Sequence, residues 1–586
     1  MVTKRGIQYI PAIDGLRAVA VITVILYHLG VSWIPGGFLG VDLFFVISGY
    51  VITRLLLDSI QSSGGLDLRA FYLARARRLL PPLVFMVATT LIYIGIFAQD
   101  TVKRFVTDMP FSIGGLMNWW LVFRKQDYFE AIGRPPLLQH TWSLAVEAQF
   151  YLIWPLILIV VLKYFGKKKI PGAALAIAAI SGIALMLVSF ELDASNTSAV
   201  SHVYFGTDTH SIGLFLGAAL AVSWVPQNFK VSVSKKAQDF IDSVGVVGFL
   251  GVLATFLFID ESKPTLYRIA FPLAGLFGTA IVLSIVHPAS RFAPLLRNRV
   301  LLWIGERSYA IYLWHWVIFQ LTRPSVDLEG QSWALFVLRL LLVAALADIS
   351  LRWVELPIRS GTVRYWLKGM KYRTKSIRLK QRNSVGVLVI LFLISAVTLS
   401  YNAITVTNEK SLAFKKSLEV PLKEPTKIID GAEDLQRLWV TGDSVILGIR
   451  HDLGELHPIA LINARVGRQA PELLAEITKD KPSVGDSPVI LDLGNNGALS
   501  REVVTAIFET IKDQKRIIVV NTAVPRPWKE SNNELIAEVA ATFSRVDVVD
   551  WDQISQGHPE YFAPDGVHLV PLGATAYVQA INQFLK

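Results

Sequence analysis

The sequence predicts a polytopic α-helical membrane protein that carries a parallel-sheet α/β domain at its C-terminal end. Apolar residues make up 53% of the 586 positions and mean hydropathy is +0.46. They gather in long blocks through residue 406, as helices that cross hydrocarbon require. The last third instead alternates short apolar runs with helical stretches, the rhythm of a small α/β fold. Charge divides the chain at the same place. Residues 407–586 hold 19 Lys+Arg and 25 Asp+Glu, a net of −6, so a total of +11 leaves +17 on residues 1–406. With no cysteine, disulfides, thiolate metal sites and cysteine nucleophiles are excluded.

About eleven apolar stretches are of spanning length: 12–30, 37–57, 79–98, 145–165, 171–190, 209–225, 241–260, 266–286, 300–321, 332–353 and 385–406. The stretch 111–123, "FSIGGLMNWWLVF", is short and rich in Gly and Trp, and reads as interfacial or re-entrant. Positive charge sets the orientation. Alternate loops collect Arg69, Arg75, Arg77 and Arg78, then Lys167 to Lys169, then Lys230, Lys235 and Lys236, then Arg291, Arg297 and Arg299. Residues 354–384 add nine Lys/Arg against Glu355, whereas 31–36 and 191–208 carry none. The expectation is an N-terminus inside and residues 407–586 outside. No cleavable signal peptide is expected, because the first apolar segment leads straight into further spans. The divisions are a membrane domain at 1–384 with ten spans, an additional span at 385–406, a polar linker at 407–430 and an outer α/β domain at 431–586.

Polar residues inside spans are costly and mark candidate sites. The fourteen residues from Asp14 to His28 rise about 21 Å, which puts Asp14 and Arg17 near the inner face and His28 near the outer. Span direction sorts the others. Asp42, His140, Glu147 and His315 fall in the outer half with His28, Ser308 nearer the middle, and Arg54, Arg75 and Arg78 join Arg17 in an inner basic layer. Arginines at an inner mouth suit a phosphorylated cytosolic molecule. A buried His beside carboxylates suits proton abstraction from a hydroxyl or thiol. Topology determinants, interhelical hydrogen bonds and the proton relay of a transporter would use the same residue types.

The phrases "IPAIDGLRAVAVITVILYHLG", "GGFLGVDLFFVISGYVIT", "RARRLLPP", "HTWSLAVEAQFY", "GERSYAIYLWHW" and "VELPIRS" stand in an order that resembles acyltransferase family 3, integral-membrane O-acyltransferases, over about residues 8–360. The resemblance implies an acyl-CoA donor, acetyl-CoA above all, taken from the cytoplasm. It places functional weight on Asp14, Arg17, His28, Arg75, Arg78, His140, Ser143 and Glu147, with His28 the expected base and the arginines expected to bind CoA phosphates.

In the outer domain the tripeptide "GDS" occurs twice. Parallel α/β folds keep their sites at the carboxyl ends of the strands. Ser444 follows the run "RLWV" and opens the segment "SVILGIRHDL", so it lies at a strand's carboxyl end, where a nucleophile is exposed. Ser487 precedes "PVILDLG" and is expected to be a turn residue. The segment "APDGVHLVPLGATAY" offers His568 as base with Asp565 to orient it. Oxyanion donors are available from the Ser444 amide, the Gly467 amide and the Asn496 side chain. In the order GDS, Gly, GxN, DxxH these motifs resemble the SGNH hydrolases over about 436–585, which implies the same roles. "GNN" stands where relatives often read G-T-N, so Asn495 adds or disturbs a donor. The phrases "VGRQ", "VPR", "VDW" and "GHPEYFAPDGVHL" resemble the outer domains of bacterial peptidoglycan O-acetyltransferases, and related enzymes acetylate other envelope glycans or trehalose mycolates.

The reading is thus a multi-pass enzyme of the bacterial plasma membrane, embedded in the lipid bilayer. It would pass acetyl from cytoplasmic acetyl-CoA to an envelope glycan or glycolipid by way of an acyl-Ser444 intermediate. A membrane-tethered esterase and an exporter of an acylated glycolipid remain open alternatives. No metal-ligand spacing or nucleic-acid motif competes.

Overall fold

The structure is a computed structural model. It describes residues 9–31, 33–124, 135–190, 197–259, 266–323 and 333–361, scattered positions between 365 and 401, and 437–585 except Val466, Pro527, Pro564 and Asp565. The expected span 385–406, apart from Val397 and Tyr401, and the linker 407–430 lie outside the described residues.

A helix stands at each of the other ten expected spans. In chain order the helices are α1 (Pro11–His28), α2 (Gly40–Ser63), α3 (Leu68–Phe97), α4 (Val102–Ile113), α5 (Met117–Phe123), α6 (Trp142–Tyr164), α7 (Ile170–Phe190) and α8 (Thr197–Phe205). Then follow α9 (Thr207–His210), α10 (Ile212–Ser223), α11 (Lys235–Phe258), α12 (Phe271–Val286), α13 (Arg299–Leu321), α14 (Trp333–Ile349) and, after a π-helical turn at Ser350–Glu355, α15 (Leu356–Arg359). Eight described helices are long and apolar enough to cross a membrane. Two expected spans fall short by that measure: α10 has 12 residues, and α13 has 23 but carries Arg299, Glu306 and Arg307 in its first half. The stretch 111–123 is broken at Gly115, whose φ of +69° suits glycine alone. The halves belong to α4 and α5, neither long enough to cross hydrocarbon.

Small residues bring these helices close, as lipid gives them little hydrophobic reason to associate. A Cβ on Gly217 of α10 would fall 2.1 Å from the Val46 carbonyl of α2, and one on Gly49 of α2 would fall 1.9 Å from the Leu214 carbonyl of α10. On α13, a Cβ at Gly305 would meet the Asp14 carbonyl of α1 at 2.0 Å. That contact clamps α13 to α1 and sets their polar residues facing each other.

The C-terminal domain is one five-stranded parallel sheet in the order β2-β1-β3-β4-β5. The strands are β1 (Leu438–Gly442), β2 (Ile459–Ala464), β3 (Val489–Asp492), β4 (Ile517–Val520) and β5 (Val546–Val549). Helices α16 (Ser444–Leu456), α17 (Ala470–Val484), α18 (Arg501–Ile511), α19 (Lys529–Ala540), α20 (Trp551–Ser555) and α21 (Pro571–Gln583) complete it. Strands buried on both faces read as unbroken apolar runs, and Ile517 to Val520 are wholly buried. Alternate residues feed two cores. Val440, Ile490 and Ile518 pack with Tyr577 and Ile581 of α21 on one face, and Trp439, Leu491 and Val519 with Ile477 of α17 and Phe508 of α18 on the other. The strand order reverses between β1 and β3, and ligands of such sheets bind at the carboxyl ends beside that point.

Candidate functional site

The expected outer layer separates into three groups. The first gathers three histidines. His28, at the end of α1, has its Nδ1 3.1 Å from Nε2 of His315 on α13. His140, in the turn Gln139–Thr141 before α6, lies with its ring 5.9 Å from that of His315. Its Nε2 donates to the Leu313 carbonyl at 3.1 Å, while the buried Nδ1 has no hydrogen-bond partner among the described residues. Tyr312 ties the group together, donating to the His140 carbonyl at 2.8 Å and accepting from Ser143 at 2.7 Å.

Asp42 does not join the histidines. Its carboxylate faces His210 Nε2 at 3.1 Å, and His210 Nδ1 donates to the Tyr204 carbonyl at 2.6 Å, with the ring 3.8 Å from that of Phe271. Glu147 stands apart as well. It accepts from Ser48 of α2 at 2.6 Å and from the Tyr151 hydroxyl at 2.9 Å, and its electrostatic partners are Arg17 and Arg78. The layer expected from helix rise alone is therefore corrected, because rise fixes depth but not the direction a side chain faces. Sequence reasoning missed His210, although it falls inside an expected span and the cost of polar residues in spans would have found it. Ser48, Tyr151 and Tyr312 carry no comparable signal.

The arginine group is likewise revised. Arg54 is committed within the fold, to Asp58 one turn on and to the Ala221 carbonyl of α10 at 3.3 Å. Arg17 pairs with Asp14 at 3.4 Å and has Arg78 and Glu147 as charged neighbours. Arg75 and Arg78 share a half-buried face of α3, and Arg77 on another face is exposed. Arg75 Nε is buried without a hydrogen-bond partner among the described residues. Glu355 is buried beside Arg359, Arg78 and Arg17, so what the sequence presents as a loop acid belongs to this group. Ser308 is buried on α13, its hydroxyl without a hydrogen-bond partner among the described residues.

In the C-terminal domain Ser444 is the first residue of α16, directly after β1. Asp443 caps the helix, accepting from the Val445 amide at 2.9 Å. Ser444 is buried, not exposed as its place at the strand end led one to expect, and its Oγ has no hydrogen-bond partner among the described residues; the amides of a first helical turn have no intrahelical acceptor. The turn at Arg465–Arg468 places Gly467 with φ +73°, where glycine is needed. Asn496, past the end of β3, donates from Nδ2 to Asp443 Oδ2 at 2.6 Å and to the Arg468 carbonyl at 3.3 Å. His568 lies in the loop before α21 as an electrostatic neighbour of Asp443, and Asp565 lies outside the described residues. Ser487 donates to the Val484 carbonyl at 2.7 Å in the turn before β3.

Asn495 turns away from the expected oxyanion position. Its Nδ2 donates to both oxygens of Asp492, at 2.9 and 3.0 Å, and its Oδ1 accepts from Thr522 at 2.6 Å. Asp492 is a feature the sequence did not disclose, because an acid inside an apolar strand run gives no pattern. Burial pushes its carboxyl well above the usual range, and the neighbouring Asp443 carboxyl pushes it further; burial raises Asp443 too. The pair therefore keeps a proton that each would lose in water. As pH rises past about 3.9 the unfolded chain releases that proton while the folded pair holds it, so stability falls with rising pH until the folded value is passed. Asp492→Asn fixes a hydrogen at that place. The variant is expected to match wild type near pH 4 and to exceed it at pH 8, by about 1.4 kcal/mol for each unit of elevation removed. Thermal unfolding of the full-length protein against pH measures this, and two parallel curves would refute it.

The chain is similar to known proteins along its whole length. An acyltransferase domain family matches residues 10–352. The peptidoglycan O-acetyltransferase OatA of Listeria monocytogenes is 34% identical over 627 aligned positions, covering 100% of this chain and 99% of that protein. The O-acetyltransferase OatA of Staphylococcus aureus is 35% identical over 598, covering 99% and 96%. Among solved structures, a GDSL-like lipase from Bacteroides thetaiotaomicron superposes with a TM-score of 0.22 at 16% identity, over 30% of this chain and 97% of the lipase.

Proposed function

The chain belongs to the acyltransferase domain family, and on that premise we propose that it carries an acetyl group from cytoplasmic acetyl-CoA across the membrane to a hydroxyl of peptidoglycan. It is an O-acetyltransferase, like the relatives it matches from end to end. That end-to-end likeness to a peptidoglycan O-acetyltransferase carries the choice of acceptor.

In this reading the arginine end of α1 and α3 faces the cytoplasm and the C-terminal domain lies outside. Arg17, Arg75 and Arg78 hold the phosphates of the donor, with the thioester extended towards His28. His28 takes the proton of the attacking hydroxyl as the acetyl carbon–sulfur bond breaks, and the thiol leaves with a proton. On the direct route the attacking hydroxyl is that of Ser444 itself and the thiol is the leaving group; otherwise the hydroxyl belongs to a small carrier, which brings the acetyl group to Ser444 as an ester. Ser444 Oγ attacks its carbonyl carbon, His568 takes the serine proton with Asp565 orienting the ring, and the departing oxygen collects that proton. A sugar hydroxyl then attacks the acetyl-serine, passing its proton through His568 back to Ser444 Oγ. The Ser444 and Gly467 amides receive the oxyanion at the positive end of α16. Asn496 joins them by giving up its longer contact, the 3.3 Å one to Arg468.

The test supplies acetyl-labelled acetyl-CoA without acceptor to the full-length protein in nanodiscs, and compares wild type, His28→Ala and Ser444→Ala by intact mass. The wild type is expected to gain one acetyl group that both variants lack. Should Ser444→Ala still acquire a stable label, the acetyl group rests elsewhere on the chain. If no form consumes acetyl-CoA, the donor is wrong and the tethered esterase or the exporter gains ground.

A further inference from the structure

We infer that Asn532 of α19 is a positioning residue that holds Asn496 where an oxyanion forms on Ser444. The inference rests on the reading of Ser444 as nucleophile and Asn496 as oxyanion donor. Asn496 Nδ2 donates to Asp443, the residue before Ser444, at 2.6 Å, and to the carbonyl of Arg468, the residue after Gly467, at 3.3 Å. The side-chain amide thus sits between the two segments that carry the other expected donors. Asn496 itself belongs to the stretch from Gly494 to Leu499, which is neither strand nor helix. A stretch without a ladder of its own needs partners from elsewhere to fix a side chain in one place.

Asn532 supplies them. It is 1% exposed, and its Nδ2 donates to the Gly494 carbonyl at 3.0 Å and to the Gly497 carbonyl at 2.8 Å, while its Oδ1 accepts from the Leu499 amide at 2.8 Å. Those holds fall two residues before Asn496, one after it and three after it. Two donors and an acceptor on one short planar group are what an asparagine offers. The opposite orientation of the amide would set its oxygen against two carbonyls, so the partners decide which atom is which. Gly494 makes room for the contact: its φ is +104°, and a Cβ there would stand 3.2 Å from Asn532 Nδ2. By comparison, the bond from Gln469 Nε2 to the Asn496 carbonyl is long, at 3.5 Å. Asn533, the next residue of α19, grips a different loop in the same manner, donating to the Thr522 carbonyl at 2.9 Å and accepting from the Thr522 amide at 3.0 Å. Thr522 is not an expected oxyanion donor. Two adjacent asparagines therefore separate holding the donor from holding a loop.

The test uses full-length protein in nanodiscs and p-nitrophenyl acetate, an acetyl donor that needs no passage through the membrane domain and releases nitrophenolate as Ser444 is acetylated. Loss of an oxyanion donor costs roughly 10²–10³-fold in kcat, so Asn496→Ala is expected to fall by about that much and Asn532→Ala by about 10- to 100-fold. KM is expected to change by less than about twofold, because the interaction is made in the transition state. Asn532→Asp keeps the shape and the acceptor for Leu499 but loses both donors when ionised, and is expected to fall as far; it takes the place of Asn532→Ala throughout if thermal unfolding shows that the alanine variant does not fold. Asn533→Ala gives up two hydrogen bonds of the same kind and is expected to stay within about fivefold of wild type. The double variant of Asn496→Ala with Asn532→Ala is expected to be slower than Asn496→Ala by no more than about threefold, since a residue that acts through another has nothing left to act through. A double variant slowed by the full product of the two single losses overturns the inference, as does an equal loss in Asn533→Ala. If Asn496→Ala is slow and the Asn532 variants match wild type, the donor reading stands and the inference alone fails. If Asn496→Ala matches wild type while Ser444→Ala is inactive, the error lies in Asn496 as donor, and the inference falls with it.

Discussion

Ser444→Ala is expected to abolish transfer of acetyl to the glycan, by roughly 10⁴-fold or more, because removing the nucleophile of a serine relay leaves only binding and oxyanion stabilisation. Ser487→Ala, which alters the other copy of the same tripeptide, is expected to stay within twofold of wild type. The contrast follows from where each hydroxyl is spent. Ser487 donates to the Val484 carbonyl and closes a turn at the amino end of β3. Ser444 stands at the carboxyl end of β1, opening α16, with its Oγ buried and without a hydrogen-bond partner among the described residues. A buried hydroxyl without a hydrogen bond costs about 1–3 kcal/mol, and a fold keeps such a cost where the group has other work. Ser444→Ala removes that orphaned hydroxyl, so its thermal unfolding is expected at or above the wild-type temperature while transfer is lost. The measurement is acetyl transfer from labelled acetyl-CoA to soluble peptidoglycan fragments, run beside thermal unfolding of the same preparations. Loss of activity together with loss of stability would mean that Ser444 is structural.

Part of the placement of these residues was legible in the sequence, and the reasons differ by residue. Ser444 could be told from Ser487 because strand direction is written in the order of apolar run and tripeptide. The ten helices that match expected spans were legible because apolar length is a one-dimensional signal. What failed depended on angle. Rise per residue put Glu147 beside His140, yet Glu147 reaches Ser48 and Tyr151 and faces Arg17 and Arg78. Arg54 was grouped with Arg17 by depth, but Asp58 one turn away on α2 takes it first. Asp42 finds His210, 168 residues on, and nothing local announces that pairing. Asp492 and Asn495 were hidden for a similar reason, since the partner that explains them is Asp443 across the sheet.

The arginines give the second large effect, and the helix separates it from a topological one. Arg75→Ala and Arg78→Ala are each expected to raise the KM for acetyl-CoA about 10- to 100-fold, the loss of one charge-assisted hydrogen bond to phosphate at about 1.5–3 kcal/mol. Arg77→Ala is expected to leave it within twofold. All three add the same positive charge near the start of α3, so a rule of orientation would treat them alike. The fold does not: Arg75 and Arg78 lie three residues apart on a half-buried face, and Arg77 is exposed. Arg75 and Arg78 stand with Arg17 and Arg359 as electrostatic neighbours. Like charges held together in a poorly solvated place repel unless an anion joins them. Glu355, Glu147 and Asp14 offset part of that charge, and the phosphates of the donor would supply the rest. Lysine at 78 keeps the charge but loses the planar fork, so Arg78→Lys should recover only part of the affinity. Initial rates against acetyl-CoA concentration, with calorimetric titration of coenzyme A into the same proteins, give the comparison. Equal losses at 75, 77 and 78 would make all three determinants of orientation and move the donor site elsewhere.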